Sequence, residues 1–290
     1  MRCVQCERPA IIGQPARCKQ HFIEGFEARV KETIARFGMV PEGARVAVAC
    51  SGGKDSLTLL HLMRKWHDDV TAIVIDEGIA GYREKTLKDL ERVAKGLGVP
   101  IIKESYEEYA GARLDDILAR HGGHPCTVCG VFRRHLIARA SKGFDVLATG
   151  HNLDDEAQTV LMNLLKGNTD VFPRGGPVTG VGAKGFTQRV KPLSFCTEKE
   201  VATYAWLHGF VSAFTECPNA RQGYRWKVRE ALNRLEAKHP GVKRRILDRF
   251  LEEKARFPPQ PDALPACREC GAPTNRDVCK ACELLAKVRA

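Results

Sequence analysis

Cysteines at the two ends of this 290-residue chain have the spacing of metal ligands. The chain has twelve cysteines, and an intracellular protein uses them on metals more often than in disulfides. The terminal sets are Cys3, Cys6, Cys18 and His21 in C-x2-C-x11-C-x2-H, and Cys267, Cys270, Cys279 and Cys282 in C-x2-C-x8-C-x2-C. Four such ligands make a closed tetrahedral zinc site with no position left for a substrate. We therefore predict two structural or docking zinc fingers; the alternative is an ordinary set of buried thiols.

A third C-x2-C pair, Cys126 and Cys129, lies in the middle of the chain, and Cys217 follows much later. Three thiolates could hold a 4Fe-4S cluster and leave one iron open for chemistry. Two of them could instead cycle through a persulfide and a disulfide as nucleophile and resolving thiol. A third zinc is less well supported, because a fourth protein ligand is not evident. The last two cysteines, Cys50 in a buried strand and Cys196 in a loop, are expected to be plain thiols.

A glycine-rich turn, Ser51-Gly52-Gly53-Lys54-Asp55-Ser56, follows a run of apolar residues. Glycines let the backbone turn closely, so that exposed amides and the dipole of the next helix can hold phosphate. The lysine and the serine hydroxyls would add contacts. The turn is not a Walker A sequence, because Asp55 follows the lysine and the upstream glycine of that motif is missing. The turn therefore predicts a nucleotide site, with an ordinary helix N-cap turn as the alternative.

Alternating strands and helices must position these residues, and their alternation predicts a parallel sheet with right-handed crossovers. Ligands then belong at the carboxyl ends of the strands. A proline-rich linker, 257–261, separates the second finger from the rest. The apolar pattern predicts strands at 45–50, 70–75, 99–103 and 145–149, and helices at 22–37, 57–63, 87–97, 129–140, 154–166, 198–208 and 224–255.

The charge of the chain favours a polyanionic partner, because 46 lysines and arginines face 35 aspartates and glutamates and leave a formal net charge of +11. The excess is concentrated in 219–256, which has twelve basic and five acidic residues. This segment could track phosphates and stack bases; the alternative is a solvated helix face with core aromatics. The residues concerned are Arg221, Arg225, Lys227, Arg229, Arg234, Lys243, Arg244, Arg245 and Arg249, with Tyr224 and Trp226 for stacking.

Membrane and export signals are missing from the sequence. No apolar stretch is long enough to span a bilayer, and the first residues contain no apolar signal core. We therefore expect a cytoplasmic protein without a membrane partner.

Five motifs together resemble the PP-loop ATP pyrophosphatases, and among them the tRNA 2-thiouridine synthetases of the TtuA, archaeal NcsA and cytosolic thiouridylase group. The motifs are S-G-G-x-D-S at 51–56, D-E-G-I at 76–79 with G-Y-R at 81–83, C-T-V-C-G at 126–130, G-H-N-L-D-D-E at 150–156 and E-C-P at 216–218. The resemblance covers nearly every segment, including both fingers.

The resemblance implies an α/β fold of the adenine nucleotide alpha hydrolase type. Its parts would be an N-terminal zinc finger at 1–24, a parallel-sheet PP-loop catalytic domain at 25–212, a basic helical tRNA-binding region at 213–257 and a C-terminal zinc finger at 258–290.

The family reaction replaces the O2 oxygen of a tRNA uridine with sulfur. ATP is cleaved between its α and β phosphates, and adenylation lets the oxygen depart with AMP. Asp55 and Asp155 would organise Mg or the pyrophosphate, and Arg133 would stabilise charge on the α-phosphate. For Asp155 the alternative is an acid that complements a helix dipole. The resemblance assigns ATP binding to Ala49, Ser51, Gly52, Gly53, Lys54, Asp55, Ser56, Ile75, Gly78, Arg133, Gly150 and Asp155.

The resemblance also favours a 4Fe-4S cluster over the persulfide mechanism for the three central cysteines. It implies a ubiquitin-like sulfur carrier or free sulfide as the sulfur donor, and a homodimer. We expect wobble uridine 34 as the target, with T-loop uridine 54 as the alternative. An amide-forming PP-loop synthetase would leave the central cysteines idle, and a noncatalytic zinc-finger adaptor would leave the glycine-rich turn unexplained. The predicted catalytic set is Cys126, Cys129, Cys217, Asp55, Asp155 and Arg133.

Overall fold

The computed structural model describes residues 1–13, 15–180, 187–254, 256–257 and 264–289. The proline-rich linker expected at 257–261 lies outside these ranges after Phe257. The chain begins with a small antiparallel hairpin, β1 (Ile12–Gly13) and β2 (Ala16–Arg17). Helix α1 (Lys19–Arg36) follows and buries Phe22, Phe26 and Val30, as its apolar stripe predicted.

A six-stranded sheet forms the centre of the described chain, in the order β5-β4-β3-β6-β8-β7. Its strands are β3 (Val46–Ala49), β4 (Val70–Asp76), β5 (Ile101–Ser105), β6 (Val146–Thr149), β7 (Val178–Thr179) and β8 (Gln188–Val190). All neighbours are parallel except β7 and β8. The predicted parallel sheet and its first four strands are confirmed. Strands β7 and β8 were not predicted, because they are too short and too polar to show an apolar run.

Helices cover both faces of the sheet, because successive strand residues point to opposite sides. Val46 and Val48 pack in the core that includes α1, whereas Ala47 packs in the core on the other face. One helix starts earlier than its predicted position at residue 87, because the buried polar side chains of Arg83 and Thr86, rather than apolar ones, fix its first turn. The connecting helices are α2 (Lys54–Trp66), α3 (Arg83–Leu97), α4 (Tyr106–Ala110), α5 (Leu114–His121), α6 (Pro125–Ala140) and α7 (Leu153–Leu165).

Four further helices follow the sheet strands: α8 (Glu198–Leu207), α9 (Tyr224–Lys238), α10 (Val242–Lys254) and α11 (Lys280–Arg289). The region 224–255, predicted to be helical, is helical but is divided into two helices, α9 and α10. Pro240 has no N–H to continue the helix, and Gly241 turns the chain with φ +87°. The carboxylate of Glu236 accepts hydrogen bonds from the N–H groups of Gly241 and Lys243. No helix in the described ranges is long and apolar enough to cross a membrane.

The C-terminal finger packs directly on the α/β domain. Cys267, Cys279 and Ala281 belong to the same buried cluster as the inner side of α6. Arg289 at the end of α11 donates to the Tyr109 carbonyl oxygen at 3.0 Å. This finger is therefore fixed against α4 and α6 rather than held only by the preceding chain.

Candidate active site

The glycine-rich turn lies where β3 ends and α2 begins, at the carboxyl edge of the sheet. Gly52 has φ +78°, and a Cβ on it would collide with the carbonyl oxygen of Thr86. Ser56 closes the turn: its Oγ accepts from the Ser51 N–H at 3.2 Å and donates to the Gly53 carbonyl at 3.0 Å. The turn thus has a fixed shape at the amino end of a helix, where phosphate is favoured.

Lys54 is held between two carboxylates. Its Nζ lies 2.9 Å from Asp55 Oδ2 and 3.1 Å from Glu198 Oε1. Burial opposes the charge of Lys54, but the two carboxylates outweigh it and raise the pKa of the ammonium. Glu198 was not predicted as a site residue, because only the tertiary fold brings the start of α8 to the glycine-rich turn.

The loop after β6 approaches the same turn from the neighbouring strand, since Ala49 of β3 pairs with Thr149 of β6. An ideal Cβ on Gly150 would lie only 3.0 Å from the carbonyl carbon of Asp55, so a glycine lets the two backbones approach closely here. Asn152 Nδ2 donates to Asp55 Oδ1 at 3.0 Å. The two motifs therefore meet at one edge of the sheet.

Asp155 caps the first turn of α7. Its Oδ2 accepts from the Asn152 N–H at 3.2 Å, and its own N–H donates to Asn152 Oδ1 at 3.2 Å. The helix-start role considered as an alternative is therefore present. Burial raises the pKa of Asp155 and of Asp55, and the charge of Asp155 raises that of Asp55 further. Two carboxylates that share Asn152 as a hydrogen-bond partner also suit a divalent cation with oxygen ligands.

A buried ion network joins the end of β4 to the glycine-rich turn. Glu77 Oε2 lies 3.0 Å from Arg83 Nε, and Glu77 Oε1 lies 2.8 Å from Arg133 Nε. Arg83 also donates to the carbonyl oxygens of Ser51, at 2.6 Å, and Ile75. Both Glu77 and Arg83 are only 3% exposed, so loss of one partner would leave a buried charge unpaired. Both residues stand in the family motifs, but their role could not be predicted, because the burial of a charge is not visible in an amino-acid sequence.

The central cysteines lie around one cavity of about 840 Å³, which we name the reaction cavity. Cys126 is exposed in the first turn of α6, and Cys129 is buried one turn later. Arg133 Nη2 donates to Cys129 Sγ at 2.9 Å. Burial raises the pKa of Cys129 and of Cys217. The lining also includes Asp55, Asp155 and Arg133, so the predicted catalytic residues share one space.

Each terminal set brings four ligand atoms close together, whereas the three central cysteines do not form such a compact group. The ligand atoms of Cys3, Cys6, Cys18 and His21 lie within 4.8 Å of one another, and so do those of Cys267, Cys270, Cys279 and Cys282. Within the described ranges, the central three cysteines do not form such a group. Burial opposes ionisation, but backbone N–H donors outweigh it and lower the pKa of Cys3 and Cys267 to about 6. Both terminal sets fit a single tetrahedral ion.

Cys50 and Cys196 lie in the core, away from every candidate ligand set. Burial raises the pKa of Cys196 to about 12 and raises that of Cys50 as well. Because a thiolate is the reactive form, both are inert at neutral pH.

The basic segment lies beside the reaction cavity. Arg225 donates to Gln158 Oε1 at 3.2 Å and to Thr159 Oγ1 at 3.0 Å. The guanidinium groups of Arg221 and Arg229 lie 5.4 Å and 5.1 Å from the centre of the Trp226 ring. Tyr224, Arg225, Trp226 and Arg229 all line the cavity.

Some of the basic side chains predicted to bind phosphate are already paired with acidic residues in the fold. Lys243 is 6% exposed and is paired with Asp154 and Asn233, so it holds α10 to α7 and cannot reach a phosphate. Arg244 and Arg249 pair with acids on their own helix, and Lys227, Arg234 and Arg245 are exposed.

A parallel sheet with a Ser-Gly-Gly-x-Asp-Ser turn after a central strand defines a nucleotide-binding α/β protein. The chain belongs to the PP-loop domain family, which matches residues 23–234.

Three similar proteins indicate which members of the PP-loop family this chain resembles. The chain is 38% identical over 296 residues to cytoplasmic tRNA 2-thiolation protein 1 of Drosophila ananassae, covering 97% of this chain and 86% of that protein. It is 35% identical over 291 residues to tRNA-5-methyluridine(54) 2-sulfurtransferase of Pyrococcus horikoshii, covering 98% and 93%. The solved U34-tRNA thiolase NcsA from Methanococcus maripaludis, with its 4Fe-4S cluster, matches with a TM-score of 0.84 and 30% identity, over 99% of this chain and 96% of that chain. The family resemblance drawn from the motifs is confirmed.

Proposed function

We propose that this protein is an ATP-dependent tRNA-uridine 2-sulfurtransferase. The observation that carries the proposal is the shared reaction cavity, in which Asp55 and Asp155 face the same space as Cys126, Cys129 and Cys217. ATP activates the O2 oxygen of the base and sulfur attacks the C2 carbon bonded to it, so the two sets of residues have to meet around this one carbonyl group.

The reaction begins with activation of the uridine O2, because this oxygen is otherwise a poor leaving group. Attack of O2 on the α-phosphate of ATP forms the O–P bond and expels pyrophosphate. A sulfur nucleophile then adds at C2, and the C2–O bond breaks as AMP departs with the oxygen. Each step needs negative charge to be stabilised at the phosphates, which is the task of prearranged donors.

The residues at the carboxyl ends of the strands divide these tasks. Ser51, Gly52, Gly53, Lys54 and Ser56 of the glycine-rich turn would hold the β and γ phosphates. Ala49 at the end of β3, Ile75 in β4, Gly78 just after β4 and Gly150 after β6 would border the adenosine.

Arg133, which Glu77 holds in place, would stabilise negative charge at the α-phosphate. Asp55 and Asp155 would bind Mg²⁺. The ion pair between Glu77 and Arg133 fixes the guanidinium before ATP arrives. Preorganisation of this kind avoids rearrangement at the moment of reaction.

The three central cysteines fit a 4Fe-4S cluster. Cys126, Cys129 and Cys217 would hold the cluster, since all three line the reaction cavity. When bound by three thiolates, such a cluster would offer an iron without a protein ligand to the incoming sulfur. Arg133 donates to Cys129 and would favour its ionised form. The terminal sets would hold one zinc each.

The partners follow from the same reaction. The substrate would be tRNA, bound along the basic segment, and the sulfur donor a ubiquitin-like carrier or free sulfide, with a homodimer as the working assembly. The Drosophila relatives are named as cytoplasmic proteins, which supports the cytoplasmic location expected from the sequence. Uridine 34 is the proposed target, as in the NcsA match, and uridine 54 is the second candidate because of the Pyrococcus relative.

The decisive experiment uses the anaerobically purified, iron-loaded protein with unmodified tRNA, ATP and sulfide. We expect AMP and pyrophosphate in equal amounts with 2-thiouridine, and mass spectrometry of nuclease fragments would place the modified base at position 34 or 54. The Asp55→Ala variant should fold but form no product, because it removes a charge at the phosphates. ADP as the main product, or an amide in place of the thiocarbonyl, would reject the assignment.

A further inference from the structure

A second cavity, of about 980 Å³, lies between helix α6 and the C-terminal finger; we name it the finger cleft. One wall is formed by α6 and β8, and the other by α11 and the cysteine loops that precede it. Its lining is strongly basic, and the basic residues are Arg134, His135, Arg139, Lys142, Arg189, Lys280 and Arg289.

Four of these cations have no acidic or hydrogen-bonding partner in the described part of the chain: Arg134, Lys142, Arg189 and Lys280. Arg139 pairs with Glu104, and Arg289 donates to the Tyr109 carbonyl. Burial, followed by the nearby charges of Arg139 and Lys142, lowers the pKa of His135. Of the two acids in the lining, Glu283 already pairs with Arg276, and Glu269 is exposed.

Arg189 is the most informative of the four, because it is half-buried in β8. Burial lowers the pKa of its guanidinium, and the positive charge of Arg134 lowers it further. Two like charges brought together without an anion weaken the fold unless a ligand supplies the missing negative charge.

The finger cleft continues from the reaction cavity. Arg134 and Lys280 line both spaces, so cationic side chains extend from the proposed reaction centre along α6 to Lys142 and Arg189. A small anion would occupy only one part of this row of cations. A row of unpaired cations that leads away from the reacting base fits the regularly spaced phosphates of a nucleic acid strand.

We propose that the finger cleft binds the tRNA backbone next to the target uridine, with phosphates on Arg134, Lys142, Arg189 and Lys280. The C-terminal finger is then one wall of the RNA channel as well as a structural unit. This inference rests on the proposed function, since it takes tRNA as the substrate. It concerns a surface separate from the basic segment at 219–256.

Charge reversal at two exposed positions tests the proposal. The variant is K142E/K280E, and K287E is the matched control because Lys287 is an exposed cation on the same finger helix outside the cleft. Affinity for tRNA is measured by fluorescence anisotropy over a salt series, together with zinc content and product formation with sulfide. We expect the double variant to raise Kd roughly tenfold or more, and each lost phosphate contact to reduce the salt slope by about one. The control should match the wild type, and both variants should keep their zinc and bind ATP normally.

Three results would overturn the proposal. Unchanged tRNA affinity with reduced zinc content would show that the cations only balance the charge of the finger thiolates. Unchanged tRNA affinity with activity lost only for a protein-bound sulfur donor would assign the cleft to an acidic protein. An equal loss of tRNA affinity in K287E would show that binding depends on the overall positive charge of the protein rather than on the finger cleft. If the wild type binds tRNA but forms no 2-thiouridine, the proposed function fails while the cleft measurement still stands. Arg189→Lys, which keeps the charge, should retain most of the affinity.

Discussion

The terminal and the central cysteine sets share the C-x2-C motif but differ in their geometry. In the terminal sets four ligand atoms lie within 4.8 Å of one another, which fits one closed tetrahedral ion. In the centre, Cys126 is exposed, Cys129 is buried, and Cys217 arrives from a distant loop. The first arrangement leaves no room for a substrate, whereas the second surrounds a cavity of about 840 Å³. The same local motif can therefore serve stability in one place and chemistry in another.

Replacing Cys217 should produce the largest effect on activity. Cys217→Ala removes one of three proposed cluster ligands, so we expect iron and 2-thiouridine formation to be lost while zinc content and ATP binding persist. Iron analysis and product mass spectrometry on anaerobic protein measure this, with Cys196→Ala as the control. Iron-free protein that works at full rate, or a Cys126–Cys217 disulfide formed in step with product, would favour the persulfide mechanism instead.

Opening a terminal set should mainly affect stability. In Cys279→Ser we expect zinc content to fall by one per chain and the free energy of unfolding to fall by about 4 kcal/mol or more, because metal binding supplies folding energy to so short a segment. Zinc analysis and urea unfolding measure both. Cys6→Ser should lose the other zinc but, unlike Cys279→Ser, leave tRNA affinity intact, because the N-terminal set does not line the finger cleft. A variant that folds normally with full zinc would contradict the closed site.

Arg133 connects the thiols to the nucleotide. Arg133→Ala should slow pyrophosphate release roughly 100-fold, because it removes a prearranged positive charge from the α-phosphate. The Kd for ATP should change much less, since the glycine-rich turn is untouched. Single-turnover kinetics separate the two effects, and Arg133→Lys should recover part of the rate. If the affinity for ATP and the rate of pyrophosphate release fell by the same factor, Arg133 would stabilise only bound ATP and not the transition state.

The smallest effects are expected for the core thiols. Cys50→Ala and Cys196→Ala should keep thiolation within about twofold of the wild type and cost about 1 kcal/mol of stability, as ordinary core truncations do. Iodoacetamide should modify Cys126 of the iron-free protein well before either of them, because burial raises the pKa of both core thiols. Rapid labelling of Cys50, which directly follows β3, would show that the end of this strand opens.

Local chemistry was readable from the sequence. The glycine-rich turn, both terminal ligand sets and the parallel sheet follow from spacing and apolar periodicity, because neighbouring residues are held together by the chain itself. The short polar strand β8 shows the limit even at this level, because it contains no apolar run. The break at Pro240 and Gly241 is a turn signal in the sequence, but apolar periodicity alone does not reveal it.

Long-range chemistry was decided by the tertiary structure. Only packing brings Cys217 to Cys126, Glu198 to Lys54, and Lys280 to the rim of the reaction cavity. Packing also buries Lys243 against Asp154, which removes it from the phosphate contacts that its sequence position suggested. Packing likewise buries Glu77 between Arg83 and Arg133. The reason is physical: charge pairing and burial depend on which distant surfaces meet, and the sequence states each residue's chemistry without stating its neighbours.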